Sequence, residues 1–295
     1  MPDMSTLTPP PDRRITKSHW RAVSIFFVFA FLITWTVWLP RALGAEWAKE
    51  LGRAWTYGPA MAAVVAALII GRRPGLRELG TRIVRWRIGI GWYAVIILGP
   101  MVMALFESGI NLVLIGGSWG ERLPTVFTDP LGTSFLLLLL LTLTDGLGEE
   151  VGWRGFALPR MLAKDNAMMA SVVLGLLWAA WHLPLFWTDG SALADSSVWV
   201  LFARLPAAAV IYTWLFRHTR GSVLAVALFH GALNLFAFAP SPSGESMVPA
   251  LTSLGVNWFI ALTLITLAGW KGLDRWPGRW SAEEANNPSR ERIVR

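Results

Sequence analysis

The sequence contains no cysteine. Disulfides, thiolate metal sites and a cysteine nucleophile are therefore excluded together, while the compartment stays open. Charge is almost as scarce. Only 15% of the 295 residues are Asp, Glu, Lys or Arg, against roughly 25% in an ordinary soluble domain. Much of the folded surface must face something other than water. The chain also lacks an internal repeat, a separate soluble domain and a His-Glu-x-x-His zinc motif. Histidine is limited to four positions.

What is present is apolar and aromatic. Hydrophobic residues make up 54% of the chain and there are 18 tryptophans, the residue that gathers at lipid headgroups. The net charge of +7 comes from basic residues lying between apolar runs. That distribution fits anionic lipid rather than nucleic acid. The expected fold class is all-α, a polytopic membrane bundle of about eight transmembrane helices, since a span needs ~20 mostly apolar residues. The expected spans are 21–40, 54–71, 88–116, 132–158, 167–187, 198–217, 221–240 and 248–270. The first is too long and too rich in Phe and Trp for a signal peptide. Pro100 predicts a kink or tilt in the third.

Loop charge orients the spans. Arg13, Arg14 and Lys17 precede the first span, and six arginines lie between Arg72 and Arg87. Further cations follow at Arg160, Lys164, Arg217, Arg220, Lys271 and Arg275. The intervening loops hold few cations, except that Arg41, Lys49 and Arg53 blur the pattern. Basic loops mark the cytoplasmic side. The expectation is a multi-pass protein of the cell membrane with both termini cytoplasmic. It divides into a tail at 1–20, a helical domain at 21–270 and a tail at 271–295.

Polar residues inside spans are costly and are functional candidates by default. Three segments hold them. In the first, Glu150 and Arg154 are four apart on one helical face with the acid leading, which favours an internal ion pair. Glu149 points about 100° away and lacks that partner. Asp145 lies one turn earlier on nearly the same face. A free buried carboxylate suits a general base, provided the fourth helix runs on through Phe156 and Leu158 and is not already ending in water. The second segment places Trp178, His182 and Phe186 on one face, with Pro184 breaking the backbone ladder beside His182. A lone helical histidine is more often a hydrogen-bond partner than a catalyst, a reading that weakens in hydrocarbon. In the third, His230 and Asn234 are four apart on the seventh span, where the asparagine could equally bond a neighbouring helix.

Taken together, these segments resemble the family of CAAX-protease and bacteriocin-processing intramembrane endopeptidases, also called Abi or type II CAAX prenyl endopeptidase-like proteins. The family pattern is an acid pair followed after three residues by Arg, a His next to an aromatic-rich stretch, and a His followed after three residues by Asn. The chain offers Glu149, Glu150 and Arg154, then His182, then His230 and Asn234, all within 130–240. The resemblance implies that Glu149 activates a water for attack on a peptide carbonyl, assisted by His182. It further implies that His230 and Asn234 hold the oxyanion and that Glu150 and Arg154 support the framework. The implied partners are membrane lipid and a peptide or protein substrate, with prenylated CAAX-type peptides suggested by the family name. No cofactor is expected. If the enzyme were metal-dependent, Glu149, His182 and His230 would be the zinc ligands.

Two other readings compete. Intramembrane acids and histidines also build transport or proton-relay paths, which Glu107, Asn111 and Arg204 would serve. A catalytically idle immunity or scaffold protein of the same fold is the other.

Overall fold

The computed structural model describes residues 13–268, apart from 54, 128, 164, 195 and 238–246, together with residue 273. The expected C-terminal tail, most of the N-terminal tail and the 241–246 loop lie outside the described residues. The chain is helical throughout what is described. Its elements are α1 (Arg13–Ala42), α2 (Glu46–Arg53), α3 (Gly58–Ile70), α4 (Arg72–Ile83), α5 (Ile90–Ile115) and α6 (Trp119–Arg122). These are followed by α7 (Leu131–Leu162), α8 (Ala167–Trp181), α9 (Val198–His218), α10 (Val223–Ala237) and α11 (Val248–Ala268).

All eight expected apolar runs are helices; among the described residues, six are long and apolar enough to cross a membrane, and α3 and α10 are shorter apolar helices. α3 has 13 residues, short of the ~20 that a span needs, and α10 is described from Val223 to Ala237. α10 is the most enclosed element: Ala225, Val226, Ala227, Phe229, His230, Gly231 and Ala232 are all buried. By contrast, Leu131, Phe135, Leu136, Leu139 and Leu140 of α7 stand exposed. Such an apolar surface is stable against lipid and a liability in water. The chain is a multi-pass membrane protein.

Two amphipathic or basic helices, α2 and α4, were not expected; their sequences are too polar to be read as spans. α4 turns Leu79 and Arg82 inward and leaves Arg73 and Arg77 exposed. Burial pushes the Arg82 guanidinium down from its ordinary range, and its ion pair with Glu78 at 2.6 Å opposes that shift.

The helix that carries the acid pair is not a plain α-helix. α7 runs for 32 residues, but widens into π-helical turns at Thr142–Gly146 and Trp153–Ala157. Each such turn adds a residue to the ring of the backbone ladder and re-aims every side chain after it. Side-chain donors take carbonyls in both turns. The Tyr57 hydroxyl donates to Leu143 O, Arg82 donates to Gly155 O at 2.8 Å and Arg160 to Phe156 O at 2.9 Å. Backbone left open by the irregular ladder is thus re-satisfied inside the protein, as the bilayer demands.

Small residues let the helices approach. A Cβ on Gly146 would lie 2.4 Å from Ala227 O, and one on Gly231 would lie 2.5 Å from the Thr142 hydroxyl. α7 and α10 therefore touch backbone to backbone, the close approach for which membrane helices use small residues. Gly152 makes a similar contact with Pro59 at the start of α3. The two short helices thus clamp the acid-bearing turn from either side.

Candidate active site

The acid pair sits between the two π turns, on Leu147–Gly152. Glu149 is 4% exposed and Glu150 is fully buried. The helix continues to Leu162, as the deep placement of Glu149 requires. The two carboxylates have different partners, as their divergence around the helix predicted. Glu150 Oε1 accepts from Arg154 at 2.9 Å and lies 3.0 Å from His230 Nδ1. Glu149 makes no ion pair within 4.0 Å among the described residues. Its Oε2 accepts from the Trp178 indole at 2.5 Å and from the Trp153 indole at 3.3 Å.

Arg154 is fully buried. Its guanidinium lies over the Trp178 ring at 4.5 Å and the Tyr212 ring at 4.2 Å. Planar, weakly hydrated guanidinium suits such a sandwich. Arg154 is therefore held by ion pair and by ring contact beneath the hollow.

α8 delivers the first histidine at its end. Pro184 cannot continue the ladder, and the His182 N–H turns back to Ala179 O. The Trp178 carbonyl then meets the His182 ring at Nδ1, 2.8 Å away. A carbonyl only accepts, so Nδ1 carries the proton and Nε2 of the neutral ring is the free acceptor. Around this bend, the Trp181 indole donates to the Thr34 hydroxyl of α1 at 2.8 Å, and the Trp35 indole donates to Trp181 O at 3.0 Å. α1 thus fixes the end of α8 that aims His182.

α10 delivers His230 and Asn234 one turn apart. Both are engaged. His230 faces Glu150, and the Asn234 amide donates to Asp145 Oδ2 at 2.9 Å. All of these groups border a single hollow of about 500 Å³, which Asp145, Glu149, Trp178, His182, His230 and Asn234 line together. Trp178 is the hub. It bonds Glu149, and its ring centroid lies 6.0 Å from that of His182 and 5.9 Å from that of His230. Four expected residues from three separate stretches are brought to one place.

The residues that sequence reasoning missed are the indoles of Trp153 and Trp178 as donors and the Tyr212 ring. Trp178 appeared only as a face-mate of His182. The signal available was spacing: Trp153 is four residues after Glu149, and Trp178 is four before His182. The rival reading's residues divide. Glu107 and Arg204 border the same hollow, whereas Asn111 does not.

The alternative metal set does not assemble. Among the described residues, no three His, Asp or Glu side chains stand where they could hold a metal ion. Moreover, two N–H donors converge on Glu149 Oε2, which leaves only Oε1 for any other partner. A catalytic zinc takes three protein ligands; these residues do not fit it, and no step below runs through one.

Comparison with known proteins adds an independent observation. The family model for type II CAAX prenyl endopeptidase Rce1-like proteins matches residues 131–236. A curated relative, CAAX prenyl protease 2 of Methanococcus maripaludis, is 29% identical over 148 residues, covering 48% of this chain and 51% of the relative. The chain spans about half the length of that relative. The matched stretch begins with α7 and ends inside α10, so it contains the acid pair, both site histidines and Asn234. Through that segment, the chain is similar to the Rce1-like type II CAAX prenyl endopeptidases.

Proposed function

We propose that the protein is an intramembrane endopeptidase that cleaves membrane-associated peptides, CAAX-type substrates among them, with a water activated by Glu149. The observation that carries this reading is the unequal treatment of two adjacent glutamates. One is neutralised by Arg154, and the other is held by neutral donors at the edge of a hollow it shares with two histidines. A carboxylate held in no direct ion pair keeps more of its basicity for a substrate.

In this mechanism, Glu149 removes a proton from water as the water oxygen attacks the scissile carbonyl carbon. The carbonyl becomes an oxyanion. His230, backed by the Glu150 carboxylate, carries a second proton on Nε2 and donates to that oxyanion. The second N–H of the Asn234 amide does the same, its first being held by Asp145. Such donors stabilise charge that develops only during reaction. The C–N bond then breaks, and the proton taken by Glu149 passes to the leaving nitrogen. His182 assists by accepting from the attacking water through Nε2. No metal takes part. The membrane is the cell membrane and both termini are cytoplasmic, in keeping with the basic loops.

The test is hydrolysis of a peptide panel by purified protein in detergent. Cleavage is expected, and it should vanish in Glu149→Gln and His182→Ala. Hydrolysis that survives both substitutions overturns the reading. Solute uptake into proteoliposomes without any hydrolysis would favour a transporter instead.

A further inference from the structure

The wall of the hollow across from the acid pair holds a second polar group. It is built by α5, α9 and α11, which contribute Glu107, Arg204, Ser253 and Asn257. The mechanism uses none of them. Arg204 lies inside a span, where a cation is expensive. Among the described residues, its guanidinium makes one hydrogen bond, to the Ser253 hydroxyl at 3.2 Å. Ser253 also faces the Glu107 carboxyl, but no ion pair within 4.0 Å joins Glu107 to Arg204 among the described residues. Asn257 donates to Ser253 O at 2.9 Å and so holds this turn of α11 in place.

Two other cations lie near. Arg154 is sealed beneath the Trp178 and Tyr212 rings and already serves Glu150. Arg41 borders the hollow from the last turn of α1. Arg204 is thus the cation that α9 presents to the hollow, with most of its five donors uncommitted. A guanidinium fork matches a carboxylate with two parallel hydrogen bonds.

We propose that Arg204 and Ser253 form a subsite for the free α-carboxylate of a peptide substrate. This deepens the endopeptidase reading and rests on it. A peptide lying in the hollow with its C-terminus on Arg204 presents an internal bond to Glu149. Glu107 then acts as a competing acid that balances Arg204 between substrates. The subsite selects chains that end within the hollow and disfavours those that continue past it.

The experiment is direct binding of a fluorescent peptide in detergent, as a C-terminal acid and as the matching C-terminal amide, with hydrolysis followed separately. The parent protein should bind the acid about tenfold more tightly than the amide, the usual scale for hydrogen bonds to charged groups. The acid-to-amide ratio should fall to about one in Arg204→Gln, persist in part in Arg204→Lys and rise in Glu107→Gln. Equal binding of the two peptides by the parent overturns the subsite, as does a preserved ratio in Arg204→Gln. Should Arg204→Gln fail to fold, an unchanged ratio in Glu107→Gln overturns it instead. A retained ratio without cleavage of any peptide counts against the endopeptidase reading alone. Cleavage without a ratio counts against the subsite alone.

Discussion

The indole of Trp178 donates to Glu149 at 2.5 Å, and the carbonyl of the same residue receives the His182 ring at 2.8 Å. One residue thus sets the orientation of both the proposed base and the imidazole proposed to assist it. Replacing it separates geometry from bulk. Trp178→Phe keeps an aromatic ring in place and removes the N–H together with the five-membered ring. A hydrogen bond to a charged group contributes about 1.5–3 kcal/mol, so kcat on a peptide substrate should fall by ~10–100-fold. Circular dichroism should show the helix content unchanged. A kcat within twofold of the parent would remove Trp178 from any part in positioning Glu149.

Glu150 and Arg154 form the buried ion pair of the site. Removing one member of such a pair strands the other, at a cost of about 3–5 kcal/mol. Arg154→Met should therefore destabilise strongly, read as a lowered unfolding midpoint in detergent. Adding Glu150→Gln to it should recover part of the loss, because the stranded carboxylate is gone. A double variant no more stable than the single one would contradict the pairing.

The contact between α7 and α10 has no room for a methyl group. Gly231→Ala would drive a Cβ to 2.5 Å from the Thr142 hydroxyl and 2.8 Å from its backbone nitrogen. Overpacking of this kind costs about 1–3 kcal/mol, and here it would also push His230 away from Glu150. Gly231→Ala should lower both Tm and activity, whereas Gly132→Ala, with open space around it, should change neither. Equal behaviour of the two variants would show that the helices do not meet as described.

A chelator test follows from the donor set around Glu149. Peptide hydrolysis should proceed unaltered after exhaustive dialysis against a strong chelator. Loss of activity that zinc restores would place a metal in the reaction.

The apolar helices were legible in the sequence because a bilayer imposes length and polarity on each of them. α5, α9 and α11 begin and end near the expected limits, as does the apolar span Trp20–Ala42 within the longer α1. The Glu150–Arg154 ion pair was legible from the four-residue spacing alone. What stayed hidden depends on contacts between helices. The π turns at 142–146 and 153–157 arise where α7 is pressed against Ala227, Thr56 and Pro59, and no local pattern announces them. The His230–Glu150 contact joins residues 80 apart in sequence. The spacing of His230 and Asn234 predicted a shared face but gave no indication that each already held an acid. α3 reads as a full span because hydropathy averages over a window; it stops at Gly71, where the basic α4 begins.

The shortness of α3 bears on how water reaches the hollow below the lipid surface. Thirteen residues rise about 20 Å, against a hydrocarbon slab of ~30 Å. The missing length must be made up by a local thinning of the leaflet or by solvent dipping in above the helix end. Hydrophobic mismatch at a helix packed on the acid-bearing turn would thus hydrate the protein's own centre, and thicker bilayers should slow hydrolysis.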